Sequence, residues 1–305
     1  MASESPVVPG ELTVGGRVRG FTIRLPRAAQ DGGPRPLVVV LHGNHPEEGA
    51  GSRMMREWTT FDDQADARGW VIAYPDGHGG CWADGRGVTT AEAAGVDDVA
   101  FLRALIDHVA SRHGTWLDRT MVAGVSNGAF MAHRLALAAG DQVAVLAAVA
   151  GGLPAALREV RPEYAISALL MHGTADRLTP IEGGYSRRRG PNGELRGRTL
   201  SLQETAEHWR AIDRCPPGPG RTLDTESSSR LTVDGGVGGT RVAAWTIIGG
   251  GHTWPGSRVP AGGRVPAEGG QSAGGGEPDT GEFDAAEEVC RFAAPLLIPA
   301  ADRRL

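Results

Sequence analysis

Short, almost uninterrupted apolar runs alternate along this chain with longer stretches in which apolar residues return every three or four positions. Residues 36–41 (PLVVVL) are continuously apolar, as expected of a strand buried on both faces, and residues 70–74 (WVIAY) and 120–125 (TMVAGV) have the same character. Residues 19–25 read as an earlier strand, and residues 145–150 and 168–171 as later ones. Helical patterns lie between them. Asp97 and Asp98 put negative charge at the start of VAFLRALIDHVASRH, where a helix N-terminus favours it, and Gly114 closes that helix. The stretch AFMAHRLALAA and residues 202–212 and 283–292 read as further helices. Strand followed by helix, repeated, predicts an α/β fold with a mostly parallel central sheet flanked by helices.

Two stretches break this rhythm, the Arg- and Gly-rich residues 183–198 and the Gly- and Pro-dominated residues 256–281. Both read as long surface loops. With 305 residues, 40% hydrophobic and 22% charged, the chain suits one domain over 1–305, with its core at about 20–295 and a flexible N-terminal segment. No apolar run is of membrane length. All 31 basic residues are arginines, yet the net charge is -5, which leaves no basic surplus for a nucleic-acid backbone. The start, MASESPVVPGELTVGG, lacks the basic and apolar regions of a secretory signal, so the expected location is cytoplasmic, or secreted with the leader removed. Cys81, Cys215 and Cys290 are odd in number and widely spaced, which favours free thiols and fits no metal template.

The sharpest local signal is Gly124-Val125-Ser126-Asn127-Gly128, set between an apolar strand and a helix. A nucleophile elbow needs small residues two before and two after the serine, because a tight strand-to-helix turn lifts the hydroxyl above the sheet. A serine hydroxyl then needs a base, and the imidazole base a carboxylate to hold its tautomer. In an α/β-hydrolase the acid and the histidine follow the serine in that order. Asp176 fits the acid, since it ends the buried run and turn LLMHGTAD, and His252 fits the base, after the run 242–248 and three glycines. Asp76, Asp97, Asp98 and Asp118 precede the serine and are in the wrong order, while His133, His172 and His208 read as structural or surface groups. The loop after PLVVVL, Leu41-His42-Gly43-Asn44, can supply the Asn44 N–H to an oxyanion hole, with the Asn127 N–H as its other donor. His42 and His45 lack a third metal ligand nearby, so no metal or other cofactor is expected.

With these residues in hand, the blocks His172-Gly173-Thr174-Ala175-Asp176 and Gly250-Gly251-His252-Thr253-Trp254-Pro255-Gly256 become distinctive. Over about residues 20–295 the chain resembles the polyhydroxybutyrate depolymerase and feruloyl-esterase-like group of α/β-hydrolases, which includes acetylxylan esterases and actinobacterial lipoprotein-type esterases. Tyr74-Pro75-Asp76-Gly77, Cys81-Trp82 and the stretch around Asp97-Asp98 support it. The resemblance implies a Ser126, Asp176, His252 triad, an oxyanion hole at Asn44 and Asn127, and hydroxyalkanoate or feruloyl- and acetyl-type ester substrates, small or polymeric. Members are usually secreted, and many carry extra cysteines or a substrate-binding module that this sequence does not show. Trp254 and Trp82 are the aromatic residues expected to bind substrate, with plain packing as the other reading. Arg187-Arg188-Arg189 is assigned no role. Two alternatives to a serine esterase stay open, a serine peptidase using the same triad and a non-catalytic binding module on the same fold.

Overall fold

The computed structural model describes residues 6–27, 33–189, 195–258, 283–298 and 303–305. Strands β1 (Val7–Val14) and β2 (Arg17–Arg24) form a hairpin, followed by β3 (Arg35–Leu41), helices α1 (Ala50–Trp58) and α2 (Phe61–Arg68), and β4 (Val71–Pro75). Next come α3 (Thr90–Ala93), α4 (Asp98–His113), β5 (Thr115–Val125), α5 (Asn127–Ala138), β6 (Val143–Val149) and β7 (Ser167–Gly173). The remainder comprises β8 (Gly184–Arg189), β9 (Leu195–Thr199), α6 (Leu202–Ile212), β10 (Arg221–Asp224), β11 (Ser228–Val233), β12 (Val242–Ile247) and α7 (Ala285–Ala293).

Ten strands make one sheet in the order β1-β2-β4-β3-β5-β6-β7-β12-β11-β10. The run β4-β3-β5-β6-β7-β12 is parallel throughout, and antiparallel hairpins extend both edges. Because successive side chains on a strand face opposite ways, an apolar run buries two layers at once. On β3, Leu37, Val39 and Leu41 pack with Phe101, Leu105, Leu135 and Trp209 from α4, α5 and α6. Val38 and Val40 face the other layer, with Met55, Phe61, Ala285 and Val289 from α1, α2 and α7. This is the α/β-hydrolase fold expected from the sequence. Among the described residues, no helix is long and apolar enough to cross a membrane.

The observed elements correct two expectations. The sheet starts at Val7, so the N-terminal segment contributes an ordered strand well before residue 20. Residues 183–198 are not simply a loop: β8 and β9 pair there as a separate two-stranded sheet, with arginines on strands that lack apolar alternation. Of the expected loop 256–281, residues 259–281 lie outside the described residues. The three cysteines are free thiols, and burial pushes Cys290 up to about 12 and Cys215 up to about 11.

The edge of the sheet where the parallel strands begin is built for stability. Arg303, from the C-terminal tail, donates to the carbonyls of Asp118, Gly140, Val143 and Ala165 at 2.9–3.2 Å. Beside it Asp213 is fully buried, and its Oδ1 accepts the Ile166 N–H at 2.8 Å, whereas Oδ2 has no partner. Burial raises this carboxyl to about 7, against the opposing pull of the Ile166 N–H, the Thr240 hydroxyl and Arg303. The folded state therefore holds a proton that the unfolded chain releases near its ordinary carboxylate pKa. Its stabilising contribution is complete below about pH 4 and is lost as the pH rises through about 7. Melting curves should show Asp213→Asn gaining on the parent protein across that window, by up to about 4 kcal/mol.

Candidate active site

Ser126 occupies the bend between β5 and α5, with φ 54° and ψ -118°. A non-glycine residue rarely adopts such a backbone, and holding it costs on the order of 1–3 kcal/mol. The bend is tied down by Ser126 N–H donating to Val149 O at 3.0 Å, and by Ser126 O accepting from Ala129 and Phe130 at 2.9 and 3.1 Å. The flanking glycines have a direct steric cause. A Cβ on Gly128 would collide with the carbonyl oxygens of Leu41 and His42, and one on Gly124 with the backbone of Gly128 itself. Gly128→Ala is expected to destabilise the fold by about 1–3 kcal/mol, read as a lower melting temperature, and to lower turnover by displacing the bend.

Asp176 and His252 emerge from the loops after β7 and β12, neighbours in the sheet, and the parallel strand order brings both to the edge where Ser126 sits. His252 Nε2 is 2.8 Å from Ser126 Oγ, and His252 Nδ1 is 2.8 Å from Asp176 Oδ2. The Asp176 side chain is fully sealed, whereas that of His252 is 13% exposed, so solvent or a ligand can reach the imidazole but not the carboxylate. Asp176 Oδ1 accepts from Leu178 and Thr179 N–H at 2.9 and 2.8 Å. Burial works against the charge on Asp176, but hydrogen bonds from His172, His252 and the Thr179 backbone outweigh it and hold the carboxyl well below the usual carboxylate range. Asp176 is thus an anion at neutral pH. Glycines make these loops compatible: a Cβ on Gly173 would strike the backbone of Gly250 and Gly251.

Asn127 follows the serine at the start of α5, and the loop that leads to Asn44 passes beside it at Gly43. The N–H groups of the first helical turn have no acceptor within the helix, so the backbone N–H of Asn127 is available at the start of α5. The Asn127 side chain is occupied elsewhere: Oδ1 accepts from Trp82 N–H at 2.7 Å, and Nδ2 donates to Trp82 O and Asp84 Oδ2 at 3.2 and 2.6 Å. Asp84 is in turn gripped by Arg86, whose guanidinium lies 3.9 Å over the Phe130 ring. On the other side Gly43 packs against Ser126, close enough that a Cβ would stand 3.5 Å from Ser126 Cβ. His42 is buried, with Nε2 accepting Gly77 N–H at 2.9 Å, so its proton sits on Nδ1 and is donated to Gly43 O at 2.5 Å. Burial keeps this ring neutral, down to about 4. Because a trans peptide opposes its C=O and N–H, fixing Gly43 O also fixes the direction of the Asn44 N–H.

The two tryptophans expected to offer faces to substrate are instead buried. Trp82 is completely enclosed, with Nε1 donating to His42 O at 2.9 Å, and it braces the loops around Asn127 and His42. Trp254 is 5% exposed and packs against Phe61 at 5.5 Å. After His252 the chain turns inward, as Ala285 N–H donates to Pro255 O at 3.0 Å, and this carries Trp254 into the layer under α2 and α7. Asp98 is more than a cap residue, since it is buried, pairs with Arg19 at 2.6 Å and accepts Ala83 N–H at 2.7 Å, while Asp97 caps α4. His133 is a core group that accepts Trp209 Nε1–H at 3.1 Å. His172, read from the sequence as packing, lies against Asp176 at 3.2 Å. Among the described residues, no group of three or more His, Cys, Asp or Glu could hold a metal ion.

A family model described as the ThiS family matches residues 88–152. That segment runs from α3 through β6, inside the continuous ten-stranded sheet, so it marks no separate unit and accounts for less than half of the chain. A curated relative, "Putative esterase NocK" of Nocardia uniformis subsp. tsuyamanensis, is 33% identical over 268 residues, which span 82% of this chain and 74% of the relative. Among solved structures, an acetyl xylan esterase from Aspergillus awamori superposes with a TM-score of 0.53 at 15% identity, over 84% of this chain and 96% of that one, a likeness of fold. The S-formylglutathione hydrolase FrmB from Staphylococcus aureus is similar over 58% of this chain and 80% of its own, with 17% identity and a TM-score of 0.46. Given the length and identity of the NocK match on a sheet of this topology, the chain belongs to the α/β-hydrolase esterase family and is a carboxylic ester hydrolase.

Proposed function

We propose that this esterase, a single domain over residues 1–305, acts through an acyl-enzyme formed on Ser126. His252 Nε2 takes the Ser126 proton, the alkoxide attacks the ester carbonyl, and the imidazolium gives that proton to the departing alcohol. Water then repeats the attack and frees the acid. The backbone N–H groups of Asn44 and Asn127 hold the oxyanion of each tetrahedral intermediate, while Asp176 keeps the His252 proton on Nδ1. The observation that carries this reading is the continuous chain from Ser126 Oγ through His252 to Asp176, with both links at 2.8 Å. Its steps need no metal or organic cofactor.

The substrate we propose is an ester with a small acyl group, acetyl or hydroxyalkanoyl ahead of feruloyl. Burial of Trp82 and Trp254 supports that order, because neither ring is free to stack on an aromatic acid. The test is a hydrolysis panel of p-nitrophenyl acetate and butyrate, methyl ferulate, acetylated xylan, polyhydroxybutyrate film and a p-nitroanilide, with Ser126→Ala as control. Short acyl esters are expected to turn over fastest. Faster cleavage of methyl ferulate than of the acetyl ester would reverse the acyl preference, and cleavage of the anilide at a rate matching the esters would make the enzyme a peptidase.

A further inference from the structure

His172 is the penultimate residue of β7, four residues before Asp176, and its ring is 3% exposed. Its Nε2 is 2.8 Å from the carbonyl oxygen of Thr179. A carbonyl can only accept, so Nε2 must carry the proton, and the tautomer of His172 is determined by that contact. The same N–H is 3.2 Å from Asp176 Oδ2, the oxygen that receives His252 Nδ1–H. A carboxylate has about four lone-pair positions. Here Leu178 and Thr179 N–H occupy Oδ1, His252 Nδ1–H reaches Oδ2, and His172 Nε2 stands 3.2 Å from that same oxygen. Thr179 is held twice, its N–H by Asp176 and its C=O by His172, so one imidazole closes the acid's loop and also stands beside the acid's Oδ2.

We propose that His172 is a positioning residue of the hydrolytic site, whose Nε2–H holds the Asp176 carboxylate at the one orientation that receives His252 Nδ1–H. The inference rests on the assignment of Ser126, His252 and Asp176 given above. Its physical content is that Asp176 is sealed from water. If the His172 donor is removed, solvent cannot replace it, one lone pair of a buried anion is left bare, and the turn at residues 176–179 loses the clasp on Thr179 O. The carboxylate can then rotate about its Cβ–Cγ bond, and His252 loses the fixed partner that aims Nε2 at Ser126 Oγ. The contacts of His172 run to Thr179 and Asp176, so the expected effect falls on kcat rather than on KM.

The decisive pair of variants is His172→Leu, which fills the space without a donor, and His172→Gln, whose amide nitrogen can stand where Nε2 stands and carries two N–H groups for Thr179 O and Asp176 Oδ2. On p-nitrophenyl acetate, kcat should fall roughly tenfold to a hundredfold in His172→Leu, with KM within about twofold, and should return to within about threefold of the parent in His172→Gln. A purely structural role would lower the melting temperature of His172→Leu without that selective loss of kcat. Unchanged kcat in His172→Leu, or equal losses in both variants, would overturn the proposal. If His172→Leu does not fold, nitrogen NMR of the parent protein decides: His172 must be protonated at Nε2 and bare at Nδ1, and the opposite tautomer refutes the geometry. Ser126→Ala run alongside separates the two levels. An active Ser126→Ala would undo the triad assignment itself, whereas an inactive one beside an unimpaired His172→Leu would undo only the role of His172.

Discussion

Ser126→Ala is expected to abolish ester hydrolysis, lowering kcat by roughly a millionfold while leaving the melting temperature unchanged or slightly raised. The chemistry accounts for the loss: with no Oγ there is no acyl-enzyme, and His252 Nε2 has no proton to take. The stability expectation has a separate origin. Ser126 is held at φ 54° by its neighbours, and no side-chain cap bond from its hydroxyl secures α5. Alanine bears the same backbone strain without a hydroxyl to orient, so nothing that holds the elbow is removed. Turnover of p-nitrophenyl acetate and labelling by a fluorophosphonate probe test the assignment together. A variant that still reacts with the probe at the parent rate would move the nucleophile elsewhere.

Asp176→Asn should lower kcat by roughly ten thousandfold, and the structure specifies why. Leu178 and Thr179 both point N–H groups at Oδ1, so an asparagine is obliged to place its carbonyl oxygen there and its NH2 at the Oδ2 position. That NH2 then faces His252 Nδ1. To accept from it, His252 must give up its Nδ1 proton and carry one on Nε2, the nitrogen that should remove the Ser126 proton. The base is present, well ordered and in the wrong tautomer. The Nε2–H of His172 also meets a donor in place of an acceptor, which adds to the loss. The variant should fold, since the two backbone bonds survive. A kcat within tenfold of the parent would show that Asp176 does not orient the base.

Much of this site is legible in the sequence alone. Gly124 is required by the backbone of Gly128, four residues on, so part of G-x-S-x-G carries its own steric reason, whereas Gly128 is required by the carbonyls of Leu41 and His42 far away in the chain; the apolar runs of β3, β5 and β7 announce strands buried on both faces. Asp176 and His252 followed from the order rule and from their position after apolar runs. The hairpin of β8 and β9 was not legible, because its strands are held by pairing with each other and show no apolar face. The edge strand β10 escaped for a related reason, every residue in it being exposed. The tryptophans differ again, because the sequence leaves both substrate contact and plain packing open for them: a side chain two positions from His252 can point either way, and the turn at Pro255 sends Trp254 into the core, while Trp82 is wholly enclosed.

The strand-to-helix bend at Ser126, the order in which Asp176 and His252 follow it and the kind of sheet that carries all three are legible in the sequence, since they rest on a short glycine motif and on a pattern of burial that repeats along the chain. Only the tertiary structure decided what surrounds them. That His172 and His252 share one oxygen of Asp176, that Asn127 turns its side chain to Asp84 while its N–H stays at the start of α5, and that neither tryptophan is open to substrate all depend on directions of side chains brought together from loops far apart in the chain. A hydrogen bond is set by angle and distance across the fold, and no spacing along a sequence encodes either.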